Sequence, residues 1–283
     1  MSRTHTTREG LARLSVNQET VRQLSLPELA RGAAELGIGG VGLWREPVRA
    51  HGPAAAARLM RRHGLAVTSL CRGGFFTARE PAARRAALDD NRAALDEAAE
   101  LGTGVLVLVS GGLPEGERDL AAARERAAEA LAELVPAARE RGVRLALEPL
   151  HPMYAADRCV VSTLGQALDL AGRFPAEEVG IVADAYHLWW DERVPRQLAQ
   201  AGAQHRIALL QLADWVTPLP AGVLLGRGQL GDGAVDLRAF RGWADAAGYR
   251  GPVEVEIFNP ALWERDGAQV LRETAARYLR HVL

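Results

Sequence analysis

One grammar repeats along the chain: an amphipathic, Ala- and Arg-rich stretch, a glycine, a short link and a compact apolar run. Such alternation specifies a parallel sheet whose strands are joined by crossover helices. The apolar runs are Leu11–Val16, Gly40–Leu43, Ala66–Leu70, Val105–Val109, Arg144–Leu147, Val179–Ala183, Ile207–Leu212 and Pro252–Ile257. That is the number a closed barrel requires, and 283 residues accommodate one barrel of about 250 residues without strain. The expected fold is therefore α/β, a (β/α)8 TIM barrel forming one domain over residues 1–283. The run Val105–Val109 is apolar at every position, as a strand covered on both faces must be.

The spacing predicts helices over Pro27–Leu36, Ala54–His63, Pro81–Leu101, Glu115–Arg141, Thr163–Phe174, Val194–Ala203, Leu237–Ala247 and Ala261–Val282. Gly37, Gly64, Gly102, Gly142 and Gly248 stand where a helix ends in a left-handed residue.

Charge narrows the function classes. The net charge is −1, which gives no overall attraction to nucleic acid. All the positive charge is arginine; without lysine, imine chemistry through a lysine amine is excluded. Two cysteines, Cys71 and Cys159, are too few for a disulfide framework. Met1–Gly10 is polar, and no run approaches the roughly 20 apolar residues a bilayer demands. A cytoplasmic protein with no membrane or nucleic-acid partner is expected.

In such a barrel the working residues sit where strands end and βα loops begin. Glu148 closes the fifth run, Asp184 the sixth, Gln211 lies in the seventh, and Glu254 and Glu256 share one face of the eighth. A carboxylate closing an apolar run is costly unless it is paired or metal-bound. Taken singly, each could be a helix cap or a salt-bridge partner. Four oxygen donors on successive strands, Glu148, Asp184, Gln211 and Glu256, suit a hard divalent cation. Without one, the three carboxylates would repel each other and raise at least one pKa. Glu254 reads as a barrel-interior partner for an arginine.

Other strand-end groups face the same mouth. Arg72 precedes Gly73-Gly74, where the backbone can approach a ligand closely; it reads either as a salt-bridge partner in a tight turn or as a group binding a substrate carboxylate or phosphate. Trp44 can supply an aromatic wall, whereas Trp189 and Trp190 read as rim packing or a subunit interface. His151 is a loop histidine or a proton shuttle, and Asp214 an orienting carboxylate for Arg227 or a ligand. Cys71 reads as a buried inert thiol.

The stretches LALEP (145–149), GIVADAYH (180–187), LLQLADW (209–215), RGQLGDG (227–233) and GYRGPVEVEIF (248–258) carry a resemblance. The chain resembles the xylose-isomerase-like barrel superfamily in its sugar-phosphate isomerase/epimerase branch, which includes hydroxypyruvate isomerase, the ketose 3-epimerases and inosose dehydratase. The resemblance implies one divalent cation, manganese first, with magnesium, cobalt or zinc as alternatives, on Glu148, Asp184, Gln211 and Glu256. It implies Glu148 and Glu256 as acid and base, His187 on a substrate hydroxyl, and Arg227 on a substrate oxygen or phosphate. Gln211 replaces the histidine frequent in epimerases and is similar to the residue hydroxypyruvate isomerase uses. His151-Pro-Met-Tyr154 stands where epimerases carry a further glutamate.

The expected activity is a metal-dependent isomerase or epimerase acting on a small carbohydrate-like substrate. A dehydratase or glycoside-cleaving lyase on the same metal site is the alternative, and a non-catalytic binding barrel a lesser one. A nuclease of the endonuclease IV type would need more histidines at the strand ends. Barrels of this type often pair, so a homodimer is a further expectation.

Overall fold

The computed structural model describes residues 9–219 and 223–283; Met1–Arg8, including His5, lie outside them. Eight parallel strands close into a barrel: β1 (Leu14–Asn17), β2 (Gly40–Trp44), β3 (Ala66–Gly74), β4 (Val105–Val109), β5 (Arg144–Glu148), β6 (Val179–Asp184), β7 (Ile207–Leu212) and β10 (Val253–Val255). β10 pairs with β7 on one side and β1 on the other, completing the ring. Two short strands, β8 (Asp214–Trp215) and β9 (Arg227–Gly228), form an antiparallel pair just past β7. The alternation of runs gave no warning of this pair, since two residues are too short to carry a period.

The predicted strands all form, with shifted ends. β3 continues to Gly74, beyond the expected turn at Cys71. A register shift lies between Leu70 and Gly73, after which Gly73 and Gly74 pair with Leu108 and Val109. Asn91 brackets the extension, accepting from Gly74 N–H at 2.7 Å and donating to Gly74 C=O at 2.9 Å. Only glycine fits at 74: its φ is +108°, and a Cβ would meet Val109 C=O at 1.8 Å.

The helices likewise follow expectation with trimmed ends. The one beginning near Glu115 starts at Leu120, because Asp119 accepts from the N–H groups of Ala121 and Ala122 and caps it there. The C-terminal helix, expected unbroken from Ala261, is two pieces, Pro260–Trp263 and Gly267–His281, the second capped by Asp266. All five predicted terminal glycines have positive φ. Among the described residues no helix is long and apolar enough to cross a membrane.

The barrel interior is apolar except for a belt centred on Glu254, which is fully buried. The expectation of an arginine partner fails. Oε1 accepts from Asn17 Nδ2 (2.8 Å) and Gln211 Nε2 (2.9 Å), and Oε2 from Thr68 Oγ1 (2.9 Å) and Ser69 Oγ (2.8 Å). Thr68 has thus committed its proton, so Ser15 donates to Thr68 across their 2.7 Å contact. Neutral donors from three strands satisfy the carboxylate without a second buried charge to desolvate. Gly42 on β2 makes room: a Cβ there would lie 2.5–2.6 Å from the Glu254 carboxyl atoms.

Gly42→Ala is therefore expected to lower stability by about 1–3 kcal/mol through overpacking against a side chain that cannot swing away. Urea unfolding checks this; an unchanged midpoint would mean the carboxylate is not held where it stands.

Candidate active site

The strand ends converge as the barrel dictates. Glu148 ends β5 and Asp184 ends β6; Gln211 pairs in register with both Asp184 and Glu254. Glu256 follows β10, and His187 sits in the short helix Ala185–Leu188 that Asp184 caps through Tyr186 N–H. Arg227 is delivered by the β8–β9 pair, opposite Trp215. The Asp214 carboxylate holds this loop by accepting from the N–H groups of Trp215, Gly231 and Val235. It thus supports Arg227 through the backbone rather than touching its guanidinium.

All six of these site groups are buried. Arg227 Nη1 donates to Asp184 Oδ2 (2.8 Å) and to Glu256 C=O (3.0 Å), and lies 3.4 Å from Glu256 Oε2. Its guanidinium stacks on Tyr186 and Phe258. Arg227 Nη2 meets His187 Nε2 at 3.0 Å, while His151 N–H meets His187 Nδ1 at 3.2 Å. A neutral imidazole has one lone pair, so only one of these can be a hydrogen bond. The shorter, charge-assisted one prevails, which makes Nε2 the acceptor and leaves the proton on Nδ1.

Two oxygens stand out. The Glu148 carboxyl receives no hydrogen bond from any described residue, although its Oε1 is buried. Gln211 gives its Nε2 to Glu254 and keeps a buried Oε1 with no donor. Ligand atoms of Glu148, Asp184 and His187 lie within 4.8 Å of one another, and those of Cys71, Glu254 and Glu256 form a second such group. The three carboxylates of the expected quartet are thus divided between two neighbouring clusters, Glu148 and Asp184 in one and Glu256 in the other, with Arg227 reaching both Asp184 and Glu256.

Burial drives the Glu148 carboxyl well above the usual carboxylate range, reinforced by the charges of Glu256 and Asp184. Burial also lifts Glu256, to about 8, against the opposing pull of Arg227 and with the help of Glu254 and Asp184. Burial, then Arg227, pushes His187 far below its ordinary value, so it is neutral and its approaches to Glu148 and Asp184 are not ion pairs. Burial opposes the charge of Arg227, but Asp184, Glu256 and Glu148 together hold it protonated. Three buried carboxylates, Glu148, Asp184 and Glu256, share one guanidinium, so the cluster is short of positive charge. That deficit and the two oxygens without donors fit a divalent cation.

A cavity of about 170 Å³ opens above the cluster. Glu148, His187, Arg227 and Glu256 line it, together with Trp44 and Arg72. Trp44 is fixed by Nε1 donating to Asn17 Oδ1 at 3.0 Å. Asp184 and Gln211 lie beneath the lining. His151 is not brought in: its ring packs on Trp215 and Trp190. Trp189 packs against Trp215 at the rim, as expected. Cys71 lines the floor, its thiol raised by burial and by Glu256. The expectation of a salt bridge for Arg72 fails; its guanidinium instead covers Phe75 at 4.3 Å. A wider groove of about 490 Å³, between helices Pro81–Leu101 and Leu120–Glu140, lies outside the barrel and gathers no such set of groups.

Sequence reasoning misses Asn17, the last residue of β1, because the apolar run stops at Val16, one residue before the strand does. It also misses Arg158, which lies in a loop and carries no periodic signal.

A family model for xylose isomerase-like TIM barrels matches residues 30–274. The chain belongs to this family. Within the xylose isomerase-like barrels, an inosose isomerase of Bacillus velezensis is 26% identical over 80% of this chain and 79% of its own length. A crystal structure of a Sinorhizobium meliloti protein superposes with a TM-score of 0.91 at 44% identity, covering 95% of this chain and 98% of that one. The structure of the IolI protein with a bound zinc atom has the same fold, with a TM-score of 0.83 at 22% identity over 95% of this chain and 98% of that one.

If Arg227 is the cluster's compensating charge, Arg227→Met should destabilise chelator-treated protein by about 3–5 kcal/mol. Added divalent cation should restore part of the loss. Thermal unfolding with and without cation measures both, and an Arg227→Met protein as stable as wild type would refute the charge accounting.

Proposed function

We propose that this protein is a divalent-metal-dependent isomerase or epimerase that moves a proton on the carbon next to a carbonyl in a small substrate. The observation that carries the reading is Glu148. A carboxylate buried beside Asp184 and His187 with no donor is costly unless something else at the mouth compensates it. Family membership, and the inosose isomerase and zinc-bearing protein it resembles, support the same reading.

Glu148, Asp184, Gln211 and Glu256 would hold the ion, with His187 Nε2 within reach of the first two. That all-oxygen set suits a hard cation such as manganese, and the His187 lone pair stays with Arg227. When bound, the cation would polarise a substrate carbonyl and stabilise the charge that develops on its oxygen. Glu148 and Glu256, both at the cavity wall, would take the α-proton and return it, each at a carboxylate oxygen. Arg227, fixed between Asp184 and Glu256, would orient a substrate oxygen through Nη2, which is pledged only to His187. Trp44 would flank the bound molecule and exclude water.

Purified protein should carry about one divalent ion per chain by elemental analysis, and Gln211→Leu should weaken its retention. Glu148→Gln and Glu256→Gln should each slow solvent-deuterium exchange into a panel of keto sugars and inososes by about 10²–10⁴-fold. Exchange at wild-type rate in either variant, or protein that binds no divalent ion, would rule the reading out.

A further inference from the structure

We propose that Arg72 and Arg158 form an oxyanion subsite, so that the substrate is a compact keto compound bearing a carboxylate or phosphate at the end away from the reacting carbon. The inference rests on the isomerase reading for which end reacts, and adds the chemical class of the other end.

Both guanidinium-bearing residues line the same cavity as Glu148 and Glu256. Among the described residues Arg72 has no ion pair, and no hydrogen bond from its guanidinium is present; its Cζ sits over the Phe75 ring, 4.3 Å from the centroid. Arg158 has one ion pair, from Nε to its exposed neighbour Asp157 at 3.4 Å, which leaves both Nη groups free. Its backbone is anchored by N–H to Tyr154 C=O at 2.9 Å, and the adjoining Cys159 bridges to Gly111 just past β4. The chain treats its structural arginines differently. Buried Arg45 is neutralised by both Asp90 and Glu97, and Arg206 donates to two carbonyls.

Position gives the pair its meaning. In the ring, β3 lies opposite β7, and β4 opposite β10. Arg72, on β3, and Arg158, tied beside β4, therefore face the side that supplies Gln211, Arg227 and Glu256. Val107, Val109, Leu150 and Phe75 line the space as well, and none of these side chains can hydrogen-bond a ring of hydroxyls. Burial and then Arg158 make the charge on Arg72 harder to hold, as expected of two cations sharing a half-desolvated wall. A bound oxyanion relieves that repulsion and accepts the planar donor forks of both side chains. A neutral polyol could accept hydrogen bonds from them but would leave their charge uncompensated. At about 170 Å³ the cavity is small beside typical ligand pockets of roughly 300–1,000 Å³, which favours a short molecule.

The test is calorimetric binding to the protein as purified, with pyruvate as the carboxylate probe, inorganic phosphate as the phosphate probe and myo-inositol as the neutral probe. The wild type should bind one of the anions and bind myo-inositol far more weakly. R72M and R158M should each weaken that anion about ten- to a hundredfold, with R72K recovering part of the R72M loss. Whichever anion loses affinity identifies the source of the oxyanion. Metal content and thermal midpoint, measured on the same preparations, should be unchanged. Anion affinity unmoved by either substitution, no binding of either anion, or myo-inositol binding as tightly as the anions would each overturn the subsite. A metal-free wild type that still loses anion affinity in R72M would instead sink the isomerase reading and spare the subsite.

Discussion

The floor of this barrel is organised by a buried carboxylate that has no countercharge among the described residues. Glu254 is stabilised by hydrogen bonds alone, from Asn17, Thr68, Ser69 and Gln211. Hydrogen bonds to a charged group contribute about 1.5–3 kcal/mol each, and losing one inside the barrel leaves an anion that water cannot reach. The consequences run upward. Asn17 spends its amide nitrogen on Glu254, so its oxygen is left to hold the Trp44 indole at the cavity wall. Gln211 spends its nitrogen in the same way, which leaves its oxygen as the group without a donor. Gly42 has no side chain because the carboxylate occupies that space.

One level higher the same residue type is treated in the opposite way. The Glu148 carboxyl receives no hydrogen bond from any described residue, and Glu256 shares Arg227 with Asp184. A chain able to satisfy Glu254 four times over has left Glu148 bare a few ångströms from other acids. Proteins break the rules of polar satisfaction chiefly where a ligand completes the arrangement. Arg72, which has no ion pair among the described residues, and Arg158, paired only with exposed Asp157, repeat this with the sign reversed. The cavity thus runs from a wall short of positive charge to a wall short of negative charge, the two joined by apolar side chains. Such a polarity fixes the direction in which a small bifunctional molecule can lie.

The legible part of the site was the part written in strand periodicity. Glu148, Asp184, Gln211 and Glu256 could be found because each interrupts or closes an apolar run. Asn17 would have been found by the same rule had β1 been read one residue further. Other features had no local signal. The partners of Glu254 are up to 237 residues away in sequence, so composition suggests an arginine where contact supplies neutral donors. Arg158 becomes part of the cavity only through the Tyr154 and Gly111 contacts that fold its loop over β4. Asp214 read as an orienting group for a side chain, yet it holds backbone, because the β8–β9 turn brings three N–H groups to it.

By itself the sequence determined the architecture and the list of strand-end oxygens, since both follow from residue order: helix and strand periods, terminal glycines, and polar residues where apolar runs stop. The tertiary structure decided which of those oxygens are satisfied. It divided the acids into a hydrogen-bonded one and a set short of charge, turned His151 away toward Trp190 and Trp215, and brought Arg72 and Arg158 together without an acid between them. The physical reason is that hydrogen bonding and charge compensation depend on distances closed by the ring, between strands that are remote along the chain. No local pattern records those distances.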